Sequence, residues 1–274
     1  MCHTFVIDLD GTLLANDGKL RLDVCDYLVQ LQKRGYTVVI ATGRKNIEAQ
    51  QIITQLKLEE YKNAVILSDG QYLLDYRDGT TTVGPFLAYP DDYVEIVNGF
   101  GGAAGAVKLI TPDQDYDVFP SALAFGACSR FFKYVIKRRN PFKGVLVNTQ
   151  KTVEGIEKIT YKPCDLSTRP GATLCERYQA AFVNDKGRFE FKAKSVNKFY
   201  ALMKYIGKYN IKPENVAVFG NDENDICLFE QFSNSFAVDT APQNVQEQAG
   251  DVIPYDEGVG VIKKIESIIE GGKQ

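Results

Sequence analysis

Short continuous apolar runs separated by helical stretches constrain this fold more than any other feature of the sequence. Phe5-Val6-Ile7, Val38-Val39-Ile40-Ala41, Ala64-Val65-Ile66-Leu67 and Val216-Ala217-Val218-Phe219 lack polar/apolar alternation. Strands of that kind are buried on both faces, as in a parallel sheet covered by helices. The predicted strands 4–7, 37–41 and 64–67 alternate with helices over 22–34 and 47–56. In the first helix Val24, Leu28 and Leu31 form one apolar face, and Gly35 marks its end. Ser68-Asp69-Gly70 then leads into a hairpin through 72–76 and 80–83. The alternation resumes late in the chain, with a helix over 197–209, strand 216–219, helix 225–231, strand 236–238 and helix 259–270. Residues 84–186 read differently, with more glycine, proline and polar loop sequence around strand-like pieces at 106–111, 158–162 and 180–182. Helical stretches over 92–97 and 122–137 lie between them. The prediction is an α/β protein: a parallel-sheet core formed by 1–83 and 187–274, with an α+β insertion between its halves.

Several functional classes are excluded early. A net charge of -3 and no basic cluster beyond Lys137-Arg138-Arg139 argue against a nucleic-acid partner. No apolar run reaches the ~20 residues that span a bilayer, so no membrane partner is expected. Six cysteines (Cys2, Cys25, Cys128, Cys164, Cys175, Cys227) fall in no CxxC or zinc-like spacing. Without a basic, apolar leader they read as reduced thiols of a cytoplasmic protein. His3 is the sole histidine, which removes Ser-His-Asp and Cys-His catalysis and the common catalytic zinc sites. Gly99-Phe100-Gly101-Gly102-Ala103-Ala104 matches GxGxxA. It follows a helix and precedes a strand, the reverse of a dinucleotide site, and reads as a connecting loop.

The polar residues that close the core strands carry the chemistry. Asp8 and Asp10 end the first strand in Asp8-Leu9-Asp10-Gly11-Thr12. A strand ending at a carboxylate delivers it to the sheet rim where α/β proteins bind ligands. There a carboxylate can hold a divalent cation or attack an electrophile. Thr42-Gly43-Arg44 ends the second strand and offers a hydroxyl and helix N-terminal amides to a phosphate. Gly220-Asn221-Asp222-Glu223-Asn224-Asp225 follows the strand over 216–219. Its oxygen donors suit magnesium better than zinc or copper. Lys198 heads a helix, the wrong end of the dipole for a cation unless an anion lies opposite; Lys192 and Lys194 are rival candidates.

Together, in this order, these motifs resemble the haloacid dehalogenase superfamily of phosphotransferases. The insertion resembles the type IIB cap of its Cof-like branch. The resemblance implies a Rossmann-like core and a cap domain at 84–186 that selects substrate. It implies a magnesium-dependent phosphatase for a small phosphorylated metabolite, such as a sugar phosphate, with an aspartyl-phosphate intermediate. Carried onto this sequence, Asp8 is the nucleophile and Asp10 the general acid and base. Thr42 and Lys198 bind the transferring phosphoryl group, with Gly43, Arg44 and Asn224 as further phosphate contacts. The metal falls to Asp8, Asp10, Asn221 and Asp225, with Asp222 as the alternative to Asn221.

Two departures stand out. The family pattern Gly-Asp-x-x-Asn-Asp has Asn221 here in place of its first aspartate, which should weaken magnesium binding. Asp69-Gly70 stands where Asn-Gly is frequent, adding a negative charge at a strand end expected near the substrate entrance. A phosphomutase using the same nucleophile, and a binding protein that lost turnover through Asn221, are the competing readings. Lys158 and Arg177 are cap cations that could meet a second substrate group.

Overall fold

The computed structural model describes residues 3–102, 105–119, 145–147, 152–165, 167–183 and 187–271. The chain forms two compact units, Met1–Gly84 with Val196–Gln274, and Pro85–Ser195.

The first unit is built on an eight-stranded sheet. In spatial order its strands are Asp251–Ile253, Ser235–Val238, Val216–Gly220, Thr4–Ile7, Thr37–Ala41, Ala64–Leu67, Tyr72–Asp75 and Thr80–Val83. The first six run parallel, and the last two close the sheet as an antiparallel hairpin. Every residue of Thr4–Ile7, Ala64–Leu67 and Val216–Gly220 is buried, the physical consequence of covering both sheet faces. From the central strand Thr4–Ile7 the chain builds outward on one side through Thr37–Ala41 and Ala64–Leu67, and later returns to the other side through Val216–Gly220. Ile7 is therefore in register with Ile40 on one flank and Phe219 on the other. Reversal of strand order opens a crevice beyond the carboxyl ends of the strands, and Asp8, Thr42 and Asn221 are the residues that follow those three ends.

Most elements of this unit lie within a residue or two of their predicted positions. Strand Asp251–Ile253 had no sequence signal, because it opens on an aspartate and two of its three residues face solvent at the sheet edge. The helix predicted over 225–231 is a tight turn at Glu223–Asp225 followed by a short helix, Ile226–Phe229. Beneath the packed apolar core, the Gln32 amide donates to the carbonyls of Leu28 (3.1 Å) and Leu56 (2.8 Å) and accepts from Asn63 Nδ2 at 2.7 Å.

The second unit has its own aromatic core around Tyr89, Phe100, Tyr161, Tyr178, Phe189 and Phe191. Its six-stranded sheet runs Tyr178–Val183, Arg188–Ala193, Lys158–Pro163, Gly105–Ile110, Asp115–Phe119 and Val145–Val147. All neighbours are antiparallel except the last pair. Arg188–Ala193, expected in the core half beginning at 187, pairs instead with Tyr178–Val183 and Lys158–Pro163, so the second division between units falls at Ser195/Val196. Gly101 and Gly102, both with positive φ, turn the chain out of helix Asp91–Gly99 toward strand Gly105–Ile110. Ala103, Ala104 and the helix predicted over 122–137 lie outside the described residues. Among the described residues no helix is long and apolar enough to cross a membrane.

The buried Gln32–Asn63 pair makes a test of this packing. Asn63→Ala leaves the Gln32 carbonyl without its donor and is expected to lower unfolding free energy by about 1–3 kcal/mol, read from urea denaturation of the full chain. A shift below about 0.5 kcal/mol would contradict a dry, paired site.

Candidate active site

Lys198 lies at the centre of the polar cluster. Asn197 caps the helix Lys198–Lys208 by accepting from the Tyr200 N–H at 2.8 Å, which places Lys198 in its first turn. The anions opposite it are two carboxylates: Nζ donates at 2.7 Å to Asp8 Oδ1 and at 2.7 Å to Asp225 Oδ1. Lys198 and Asp225 are completely buried, and Asp8 nearly so. Burial raises the Asp8 carboxyl to about 7, against the pull of Lys198 and with the charge of Asp225 adding to the rise. Burial alone would lower the Lys198 ammonium, yet Asp225 and Asp8 hold it well above its usual range.

Asp225 also braces its own loop. Its second oxygen accepts from the backbone N–H groups of Asn221 (2.9 Å) and Asp222 (3.2 Å). With both oxygens engaged, Asp225 does not line the adjoining cavity of about 240 Å³, and neither does Lys198. Asp225, expected to serve the metal directly or from behind its ligands, is thus placed behind the cavity lining, where it braces the loop. The cavity is bounded instead by Asp8, Asp10, Thr42, Gly43, Arg44, Glu48, Asn221, Asp222 and Asn224.

Each of these has a defined setting. Arg44 grips Asp10 with two bonds, Nε to Oδ2 at 2.8 Å and Nη2 to Oδ1 at 2.5 Å. Thr42 Oγ1 accepts from the Arg44 N–H at 3.1 Å, which leaves its own proton available to an acceptor in the cavity. The turn over Leu9–Leu13 brings Gly11, with φ of +77°, against the Asn221 amide, where a Cβ would collide. Thr12 Oγ1 donates to Asn221 Oδ1 at 3.2 Å. Asp222 Oδ1 accepts from the Glu223 N–H at 2.8 Å. Asn224 Nδ2 donates to Asp69 Oδ1 at 2.7 Å, so Asp69 bonds to the loop after strand Val216–Gly220 and does not line the cavity.

Glu48 was absent from the sequence-based candidates. Its available signal was its place three residues after Lys45, where its carboxylate accepts the Lys45 N–H at 2.9 Å. The proposed cap cations are already paired: Lys158 with Glu190 at 2.7 Å and Arg177 with Glu95 at 2.6 Å.

Four carboxylates and one guanidinium border the cavity, so a dianion approaching it needs added positive charge. The donors there, from Asp8, Asp10, Asn221 and Asp222, are oxygens and suit a hard cation such as magnesium. Among the described residues no group of three or more His, Cys, Asp or Glu is spaced to hold a metal ion. A site here would thus combine carboxylate with amide and carbonyl oxygens.

Lys198→Met would leave Asp8 and Asp225 facing each other without a cation. In metal-free buffer this is expected to cost about 3–5 kcal/mol at pH 8. The Asp8 carboxyl, raised in the folded state, favours folding fully only below its unfolded value near 3.8, and that advantage is lost as pH rises through the raised value. The deficit should therefore shrink between pH 8 and pH 5; a deficit in urea unfolding that grows on acidification would refute the bridging role.

Residues 5–101 and 124–265 match the haloacid dehalogenase-like hydrolase family. The 5-amino-6-(5-phospho-D-ribitylamino)uracil phosphatase YwtE of Bacillus subtilis is 23% identical, over 97% of each chain. A phosphoglycolate phosphatase of Methanopyrus kandleri is also 23% identical, over 98% of each chain. The solved structure of BT1666 from Bacteroides thetaiotaomicron, from the phosphatases of the haloalkanoate (HAD) enzyme superfamily, shares the fold with a TM-score of 0.73 and 19% identity, covering 97% of this chain and 95% of that one. With a family match across most of its length, this chain belongs to the haloacid dehalogenase-like hydrolases, among their Cof-like phosphatases.

Proposed function

We propose that this phosphoric monoester hydrolase acts on a small phosphorylated metabolite with magnesium, through an aspartyl-phosphate on Asp8. The observation that carries the reading is the convergence of Asp8, Asp10 and Thr42 on one cavity, with Lys198 bonded to Asp8 behind it. An Asp8 carboxylate oxygen attacks phosphorus as the bond from phosphorus to the substrate oxygen breaks, and Asp10 delivers a proton to that leaving oxygen. A water molecule then gives a proton to Asp10 and attacks phosphorus, the bond to Asp8 breaks, and inorganic phosphate leaves. Arg44 bonds to both Asp10 oxygens and favours the ionised carboxylate, so protonation of Asp10 works against that grip. The Thr42 hydroxyl and the Gly43 N–H donate to phosphoryl oxygens, with Arg44 and Asn224 at the rim. Lys198 offsets the charge that Asp8 and the phosphoryl group bring together.

Asp8, the Asp10 carbonyl and Asn221 would hold the magnesium ion, with Asp222 as the alternative to Asn221. Bound there, it supplies positive charge to the phosphoryl oxygens. The second unit acts in this proposal as the cap that chooses the leaving group. A sugar phosphate as substrate rests on family resemblance, because fold does not specify substrate. A cytoplasmic setting is supported by the free thiols of Cys25, Cys164, Cys175 and Cys227.

Phosphate release from an aryl phosphate and a panel of sugar phosphates, with and without magnesium, tests the reading. Asp8→Asn is expected to lower turnover by about three orders of magnitude or more; a variant that keeps wild-type turnover would sink the nucleophile assignment. Asn221→Asp restores a carboxylate to the loop and is expected to lower the magnesium concentration for half-maximal thermal stabilisation by about tenfold, roughly 1.4 kcal/mol. An unchanged or weaker magnesium response would remove Asn221 from the metal site.

A further inference from the structure

Ser68, Asp69 and Gly70 follow strand Ala64–Leu67, and all three have positive φ, at +48°, +53° and +101°. Two consecutive non-glycine residues in the left-handed region are unfavourable for L-amino acids. Such a turn persists where its surroundings over-determine it. Here the surroundings are the loops of the active site. The Ser68 N–H donates to the Arg44 carbonyl at 3.0 Å, and the Asp69 N–H donates to the Thr42 carbonyl at 3.0 Å. The Asp69 carboxylate fills the space beside Gly43, where a Cβ would lie 2.9 Å from Oδ1. A Cβ on Gly70 would collide with the carbonyl of Asn197, the cap of the helix that begins with Lys198. One turn thus touches the segments that carry Thr42, Asn224 and Lys198.

A carboxylate accepts hydrogen bonds and cannot donate them. Asp69 therefore dictates which end of the Asn224 amide turns toward it: Nδ2 bonds to Asp69 Oδ1, and Asn224 Oδ1 is buried without a partner among the described residues. Asparagine at position 69 would keep an acceptor oxygen for that Nδ2, whereas glycine would offer none. Buried acceptors without partners are rare, and they persist where function keeps them.

We infer that Asp69 is a positioning residue of the phosphoryl site, fixing the Asn224 amide and holding the Thr42–Gly43 segment against the Asn221–Asp225 loop. Its kinetic consequence rests on the phosphatase reading; the structural consequence does not. Asp69→Gly keeps the backbone conformation accessible and deletes the carboxylate. It is expected to lower kcat for an aryl phosphate by about 10–100-fold with KM within about twofold, the signature of misplaced reacting groups. Asp69→Asn still offers an acceptor to Asn224 and is expected to stay within about threefold of wild type.

Hydrogen exchange read by mass spectrometry supplies the second measurement. Faster exchange over 40–46 and 220–226 in Asp69→Gly, reversed in Asp69→Asn, supports the inference. Unchanged exchange, or kcat within twofold in Asp69→Gly, overturns it. An equal loss of kcat in Asp69→Asn also overturns it, because the charge and not the bond would then be the contribution. If wild type releases no phosphate while exchange responds as expected, the phosphatase reading fails and the positioning role stands.

Discussion

One buried ammonium ties together the polar cluster of the candidate active site. Lys198 neutralises parts of two carboxylates, Asp8 and Asp225, that come from sequence positions far from it and from each other. Removing three charges from water is costly, and a hydrophobic trio of similar size would give a more stable core. Burial alone pushes Asp8 toward neutrality, and the Lys198 ammonium opposes it, which is the setting that the nucleophile proposed at Asp8 requires. The same contact joins the two sequence halves of the first unit at the rim of the sheet. It fixes the helix N-terminus, the end of the first strand and the acidic loop in one step.

The sheet makes that contact possible. Parallel pairing puts Ile7 level with both Ile40 and Phe219, so the residues that follow all emerge at the same edge. Continuous burial leaves the apolar strands no alternative register, because a slip would carry the polar loop residues into the core. The second unit meets the different demands of an antiparallel sheet with an aromatic core of its own.

The two departures from the family pattern occupy distinct physical settings. Asn221 lies against Gly11 and accepts from Thr12, so a neutral amide packs where a carboxylate is usual. Asp69 places its extra charge behind Asn224, away from the cavity lining. Asn221 borders the cavity, and Asp69 bonds to the loop that follows strand Val216–Gly220. A reading by residue type alone assigned the second to substrate entry.

Local pattern was sufficient for the parallel strands, most helix ends and the polar residues Asp8 and Thr42 that follow the strand ends, because hydrophobic periodicity and strand-end polarity are written in adjacent residues; it left Lys198 beside Lys192 and Lys194. It also recognised that Lys198 needed an anion opposite it. Local pattern could not show that Asp225 spends both oxygens on Lys198 and the loop backbone, or that Arg44 grips Asp10, since those bonds join distant segments whose geometry exists only after folding. The edge strand Asp251–Ile253 and the true division near Ser195 escaped for a related reason: each is defined by its pairing partners, not by its own composition. The sequence determined which groups could do chemistry; the tertiary structure decided which oxygen each proton donor meets, because a side chain's partners depend on loops converging from strands far apart in the chain.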